Sequence, residues 1–212
     1  MDSGLELRDV SISKAGATLL TISRKVLSGE VLTIMGPSGV GKSTLLAFVT
    51  GTLAQDFKAE GKVFLNDQDI TMVPAHMRRV GILFQDDLLF PHLSVGTNLA
   101  FGLRAGGTKK QRLEKVDAAL SEVGLEGFAD RDPATLSGGQ KARVALMRML
   151  LSEPCALLLD EPFSRLDAAL REQVRELVFA RARARSLPVL LVTHDAEDAA
   201  AAGGEIVSLK PI

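Results

Sequence analysis

The chain has no tryptophan, no tyrosine and a single cysteine, Cys155. One cysteine excludes an internal disulfide, and Cys155, set just before a very apolar run, reads as a buried structural thiol. No apolar run reaches the length of a membrane span, so the chain is not expected to cross a bilayer by itself. The opening residues, Met1-Asp2-Ser3-Gly4-Leu5-Glu6, lack the basic region and apolar core of a signal peptide. A net charge of −1 leaves no bulk electrostatic footprint for nucleic acid. What is present is ordinary: 46% hydrophobic and 24% charged residues over 212 positions, enough for one large domain or a domain with a lobe.

One stretch organises the rest. Gly36-Pro37-Ser38-Gly39-Val40-Gly41-Lys42-Ser43-Thr44 has the spacing of a phosphate-binding loop. Val31 to Met35 reads as a buried strand entering it, and Thr44 to Val49 as the helix leaving it. Glycines let the backbone turn its N–H groups inward, and the helix aims its positive end at the same place. Lys42 suits the β- and γ-phosphates of a nucleotide and Ser43 a Mg²⁺ ion.

In chain order, residues 5–13 and 18–27 are expected strands, with a turn at Ser28-Gly29, and residues 61–67 are another. Residues 72–78 form a short connector around Pro74. Val80 to Phe84 is a buried strand with Gln85 at its end. From Asp86 to Glu153 helix-forming composition takes over, with helices expected at 94–103, 109–123 and from Ser137 to about Ser152, where Pro154 stops the last. Then come a strand at 155–159, a helix at 168–186, a strand at 188–192, a short helix at 195–202 and a strand at 206–209. Arg181, Arg183 and Arg185 spread around a helix and read as a solvated face.

Two further constellations carry chemistry. Leu157-Leu158-Leu159-Asp160-Glu161 is an apolar strand ending in two carboxylates: Asp160 suits Mg²⁺, held through water, and Glu161 the general base for an attacking water. Leu136-Ser137-Gly138-Gly139-Gln140 opens a helix with an N-cap residue and two glycines, a second anion site. Two such sites far apart in sequence are hard to bring to one nucleotide within a monomer, and a head-to-tail dimer solves this.

On these residues the chain resembles the ATP-binding cassette family. Residues 136–140 match its signature pentapeptide. The phosphate loop at 36–44, Gln85, the Walker B segment at 156–161, the loop Ser164-Arg165-Leu166-Asp167 and His194 complete the pattern over nearly the whole length. The resemblance implies a single α/β domain over 1–212: a P-loop, RecA-like nucleotide-binding core (1–86 and 154–212), an N-terminal antiparallel β-subdomain, and an inserted α-helical subdomain (87–153). It implies ATP and Mg²⁺ as cofactors. Gly36, Pro37, Ser38, Gly39, Val40, Gly41, Lys42, Ser43 and Thr44 would bind phosphates. Ser43, Gln85 and Asp160 would hold the metal, and Glu161, His194 and Gln85 would be catalytic. Ser137, Gly138, Gly139 and Gln140 would meet the γ-phosphate held by a second copy, and Asp167 would cross the dimer interface. His76 and His92 read as ordinary polar residues.

The stretch Phe84 to Val95 resembles importer ATPases for polyamines, sulfate, ferric iron and thiamine, and the overall pattern is similar to the short YnjD-type members. This implies integral membrane permease subunits as partners and, indirectly, a substrate-binding protein, with no nucleic acid. It also implies a cytoplasmic location, peripheral on the cytoplasmic face of the inner membrane. Permease helices would dock near Gln85 and residues 86–103, through Leu88, Leu89 and Phe90, for which lobe packing is an equal alternative. Two departures stand out. Ser13-Lys14-Ala15-Gly16-Ala17 has no aromatic where the family stacks one on adenine, and Arg165 stands where a small residue is usual. The chain ends soon after its last strand, so no regulatory domain is expected. A lipoprotein or export machine and a soluble non-transport ATPase are the alternatives. Against the second, only 51 positions separate Gln85 from Leu136, with no room for a long coiled-coil insertion. A P-loop kinase or switch GTPase leaves residues 136–140 and Glu161 without a place.

Overall fold

A computed structural model describes residues 3–86 and 88–209. Three predominantly apolar segments become β3 (Val31–Met35), β7 (Ala156–Asp160) and β8 (Val189–Thr193). Nearly every side chain in them is buried, on both faces, as in a parallel sheet covered on two sides. β8 pairs in parallel with β7 on one side and β3 on the other, and β3 pairs in parallel with β9 (Glu205–Ser208). With β6 (Val80–Leu83) the sheet order is β6-β7-β8-β3-β9. The strand order puts the carboxyl ends of β3, β7 and β8 side by side, where open α/β sheets place their ligands.

Alternating sequence builds the second sheet. β1 (Gly4–Lys14), β2 (Ala17–Leu27), β4 (Phe57–Leu65) and the short β5 (Gln68–Asp69) are antiparallel in the order β2-β1-β4-β5. Leu5, Leu7, Val10 and Ile12 of β1 join Leu20, Ile22 and Val63 in one buried cluster. Leu45, Leu46 and Val49 of helix α1 (Lys42–Thr50) and Leu158, Leu190 and Val192 of the parallel sheet share it. Cys155, read as buried, is partly buried against this cluster.

β4 starts four residues earlier than its sequence pattern suggests. Gly61 interrupts the alternation with φ +89°, and a Cβ there would lie 2.3 Å from the Asp9 carbonyl oxygen. The pairing with β1 shifts register between Arg8 and Ser11, so Gly61 marks a bulge rather than the strand's beginning. Arg78 is the other surprise. It is buried, and its guanidinium donates to the carbonyls of Phe48 and Val49 at the end of α1 (2.8 and 2.9 Å) and to those of Thr71 (2.5 Å) and Val73 (2.7 Å). A cation on the last carbonyls of a helix satisfies orphan acceptors and complements the negative end of its dipole. Arg78 thus pins the far end of the helix whose near end carries the phosphate-binding loop.

Contacts divide the chain into two units. The first holds both sheets: residues 1–82, 155–161 and 179–212. The second, residues 83–154 and 162–178, is helical. It contains α2 (Val95–Gly102), α3 (Lys109–Glu122), α4 (Gly138–Leu150) and the first part of α5 (Ala168–Ala184), which ends in the first unit. α6 (Ala196–Ala202) belongs to the first. α2 packs on α4 so closely that a Cβ on Gly102 would strike the Arg148 carbonyl at 2.0 Å. Asn98 is fully buried in α2. Its amide donates to the carbonyls of Phe90, Leu93 and Ser94 and accepts from the Phe90 N–H (2.8 Å), so one side chain fixes the turn ahead of the helix. No helix among the described residues is long and apolar enough to cross a membrane.

Candidate functional site

The loop after β3 has the backbone a phosphate cradle needs. Gly39 and Gly41 adopt φ +84° and +99°, and Gly41 is the N-cap of α1. A Cβ on Gly36 would lie 2.9 Å from the Leu209 carbonyl oxygen, and one on Gly41 2.9 Å from Leu20 Cδ2. Lys42 is only 5% exposed, and its Nζ donates to the carbonyls of Gly36 (2.8 Å) and Pro37 (3.0 Å). No carboxylate pairs with it among the described residues. A buried ammonium held only by carbonyls, inside a ring of glycines at a helix start, fits a multiply charged phosphate. Ser38, Val40, Ser43 and Thr44 lie in the same turn and first helical residues.

Ser43 meets the second strand end directly. Its hydroxyl donates to Asp160 Oδ1 at 3.1 Å. Burial pushes the Asp160 carboxyl above its ordinary range. The Ser43 hydrogen bond opposes this, the neighbouring Glu161 charge adds to it, and Lys42 opposes it weakly. A hydroxyl and a desolvated carboxylate in contact form a hard-oxygen pair that fits Mg²⁺.

The sign of that shift makes a prediction. Below the unfolded aspartate pKa the carboxyl is neutral in both states and burial costs nothing. As pH rises through the raised folded value, ionisation subtracts from stability. Asp160→Asn is therefore expected to raise the melting temperature of the nucleotide-free protein by a few degrees at pH 8, and the gain should vanish near pH 4. With ATP and Mg²⁺ added the order should invert, because the oxygen pair that fits Mg²⁺ needs the Asp160 carboxylate. Thermal unfolding at both pH values checks this; an Asn variant less stable than wild type at pH 8 would contradict it.

Glu161 follows with φ +47°, left-handed for a residue that rarely accepts it. Its N–H donates to the Val192 carbonyl at 2.9 Å, tying the turn to β8. Its Oε2 lies 3.1 Å from His194 Nδ1. His194 is placed by its neighbours: Thr193 Oγ1 accepts from the Asp195 N–H (3.0 Å), and Asp195 Oδ1 caps α6 by accepting from Glu197 and Asp198. Loop, carboxylates and histidine thus leave adjacent strand ends of one sheet.

The remaining residues lie in the helical unit. Ser137 caps α4: its Oγ accepts from the Gln140 N–H (3.3 Å), and Gln140 Oε1 accepts from the Ser137 N–H (3.0 Å). Gly138 and Gly139 form the first turn, whose N–H groups have no intrahelical carbonyl. A Cβ on Gly139 would fall 2.2 Å from Leu170 Cδ1 of α5, so that glycine is also demanded by packing. Asp167 Oδ1 accepts from the Leu170 N–H at 3.0 Å. Gln85 is exposed in the irregular stretch after β6.

At the β1–β2 hairpin, Ala15 and Gly16 make the turn with φ +50° and +83°. The aromatic ring beside it is Phe57 of β4, opposite Lys14, whose Nζ lies 4.7 Å from the ring centroid and 2.8 Å from Asp56. Reading the sequence missed Arg78 and Asn98; a lone arginine in a polar connector and a lone asparagine in a helix give no periodic signal. Among the described residues no cluster of three or more His, Cys, Asp or Glu could hold a metal.

A family model described as "ABC transporter" matches residues 19–164. The chain is 51% identical over 193 residues to the uncharacterized ABC transporter ATP-binding protein YnjD of Escherichia coli K12, covering 91% of this chain and 89% of that one. It is 47% identical over 173 residues to the thiamine import ATP-binding protein ThiQ of Salmonella paratyphi A, covering 81% and 72%. Among solved structures, cbiO1 of Clostridium perfringens, part of the ABC transporter complex cbiONQ, matches with a TM-score of 0.87 and 29% identity, over 99% of this chain and 86% of that one. With its phosphate loop, paired carboxylates and capped glycine turn in place, the chain belongs to the ABC transporter family, as an ATP-binding subunit with ATPase activity.

Proposed function

We propose that the chain is the motor of a bacterial importer: two copies close head to tail on ATP, and hydrolysis reopens them to drive separate membrane permease subunits. What carries the reading is the row of groups on adjacent strand ends: Lys42 and Ser43 after β3, Asp160 and Glu161 at the end of β7, His194 after β8. Residues 36–44 bind the phosphates of ATP. Ser43, Asp160 and Gln85 would hold Mg²⁺, which would supply charge neutralisation on the phosphates. Glu161 accepts the proton of an attacking water, and His194, hydrogen-bonded to it, holds the γ-phosphate and orients that water. Ser137, Gly138, Gly139 and Gln140 bind the γ-phosphate of the second copy's nucleotide, and Asp167 crosses between the copies. The core is residues 1–86 and 154–212, and the helical subdomain residues 87–153.

The import direction rests on likeness to proteins such as ThiQ, whose name states thiamine import. The permease docks near Gln85 and residues 86–103. In support, Leu88 is 55% and Phe101 68% exposed, and Phe101 stacks edge-on against Phe90 at 4.7 Å, so large apolar side chains of the helical unit are exposed. Residence on the cytoplasmic face of the inner membrane and an indirect link to a substrate-binding protein follow from that partner.

The test is affinity capture of the Glu161→Gln protein from detergent-solubilised membranes of its own organism, with ATP and Mg²⁺. A multi-span protein co-purifying in ATP-dependent manner, encoded with a substrate-binding protein, is the expected result. Recovery of soluble partners alone would move the assignment to a non-transport ATPase, and recovery of an export or lipoprotein machine would reverse the direction.

A further inference from the structure

The turn that follows Glu161 is anchored on two sides. Phe163 is fully buried, and its carbonyl accepts from the Leu166 N–H and from Arg171 Nε, both at 3.1 Å. Asp167 closes the turn onto α5 through the Leu170 N–H. From this fixed base Arg165 reaches out, and its guanidinium pairs with the carboxylate of Asp86. Asp86 follows Gln85 between β6 and α2, where the described residues have no regular structure, Phe84 is 42% and Leu88 55% exposed, and Leu88 has φ +45°. Both segments belong to the helical unit.

Exposed ion pairs contribute little to stability, so this one does not explain the fold. Its effect is geometric. An arginine on an anchored turn is a planar tether for a carboxylate on an exposed, irregular loop. We propose that Arg165 and Asp86 are a positioning pair that holds the Gln85 loop in register with the turn that follows Glu161. The proposal rests on the hydrolytic reading above, in which Glu161 takes the proton of the attacking water and Gln85 helps hold Mg²⁺. Misplacing one of two cooperating groups slows the chemical step while leaving ground-state binding nearly alone.

The experiment is a double-mutant cycle in the permease-free protein, reading kcat and KM for ATP together with thermal stability. Arg165→Ala and Asp86→Ala should each lower kcat by about threefold to tenfold with KM within about twofold of wild type. The double variant should be no slower than the slower single, because one interaction has been removed twice. The charge-swapped protein, Arg165→Asp with Asp86→Arg, should recover at least about half of the lost rate. Losses that multiply in the double variant, an Asp86→Ala protein with normal kcat, or a failed swap would overturn the pair, the second pointing to Arg165 acting against another copy. A loss that tracks a drop in melting temperature would reduce the pair to a fold contact and overturn it too. Failure of the underlying reading shows separately: Glu161→Gln would then hydrolyse normally whatever the cycle gives.

Discussion

Glu161→Gln is expected to bind ATP as tightly as wild type and to turn it over about 10²–10⁴ times more slowly, the range that general-base removal costs. The substitution targets that chemistry because it leaves the backbone of the turn and the contact with His194 in place. Glu161 has φ +47° and is held by its N–H to the Val192 carbonyl, neither of which depends on the side-chain charge. The side chain's contact with His194 Nδ1 at 3.1 Å survives as well, since an amide oxygen can accept from the imidazole N–H. What disappears is the ability to take a proton. ATP should then accumulate unhydrolysed, and the protein should elute as a dimer with ATP and Mg²⁺ and as a monomer without them. Rapid-quench hydrolysis and light scattering measure both effects. Turnover within about threefold of wild type would remove Glu161 as the base, leaving His194 or Asp160 to be tested in its place.

Most parts of this site that are legible in the sequence share one property: they follow an unambiguous apolar strand. Val31 to Met35, Ala156 to Leu159 and Val189 to Val192 have no polar alternation to mislead, so the residues that follow, Lys42, Asp160, Glu161 and His194, are legible as strand-end residues from the sequence. Ser137 was legible for a different reason, as an N-cap followed three residues later by Gln140, a capping box that the structure closes in both directions. What stayed hidden is equally specific. Gly61 looked like a strand boundary because a bulge and a turn use the same residue. Arg78 lies in a stretch whose composition suggests a surface connector, yet it is buried against four carbonyls that only the three-dimensional fold brings together. The Arg165–Asp86 pair joins two exposed charges far apart in sequence, and exposed charges follow no periodicity from which such a pairing could be read.

The missing aromatic at Ala15 changes how the remaining binding energy must be distributed. The hairpin turn offers a methyl group and a glycine, while the ring of Phe57 on β4 is engaged by Lys14. Affinity for the nucleotide then rests more heavily on the phosphates, on Lys42 and the helix start, than on stacking of the base. That makes contacts at the γ-phosphate proportionally more important and raises the expected cost of losing any of them. The signature turn is the group of such contacts that the proposed function assigns to the second copy.

Ser137→Arg is accordingly expected to abolish dimer-dependent hydrolysis, by about 10²-fold or more, the cost of losing oriented donors at a developing charge. Nucleotide binding to the single chain should change little. The substitution removes a cap worth about 0.5–2 kcal/mol and brings a cation to the positive end of α4. That helix buries Val144, Ala145, Leu146, Met147 and Leu150, so the fold should hold, and circular dichroism can verify it. Ser137→Asn, which caps as well as serine without the added bulk or charge, separates loss of the cap from loss of the anion site. The decisive experiment mixes Ser137→Arg with Glu161→Gln protein. Neither hydrolyses ATP alone, but in a head-to-tail heterodimer one of the two sites has both an intact Glu161 and an intact Ser137. Random pairing makes half the dimers mixed, so activity should return to roughly a quarter of wild type if the two sites act independently. If Ser137 instead acted on the nucleotide of its own chain, every site in the mixture would carry a defect. No activity would then return, even with heterodimers present.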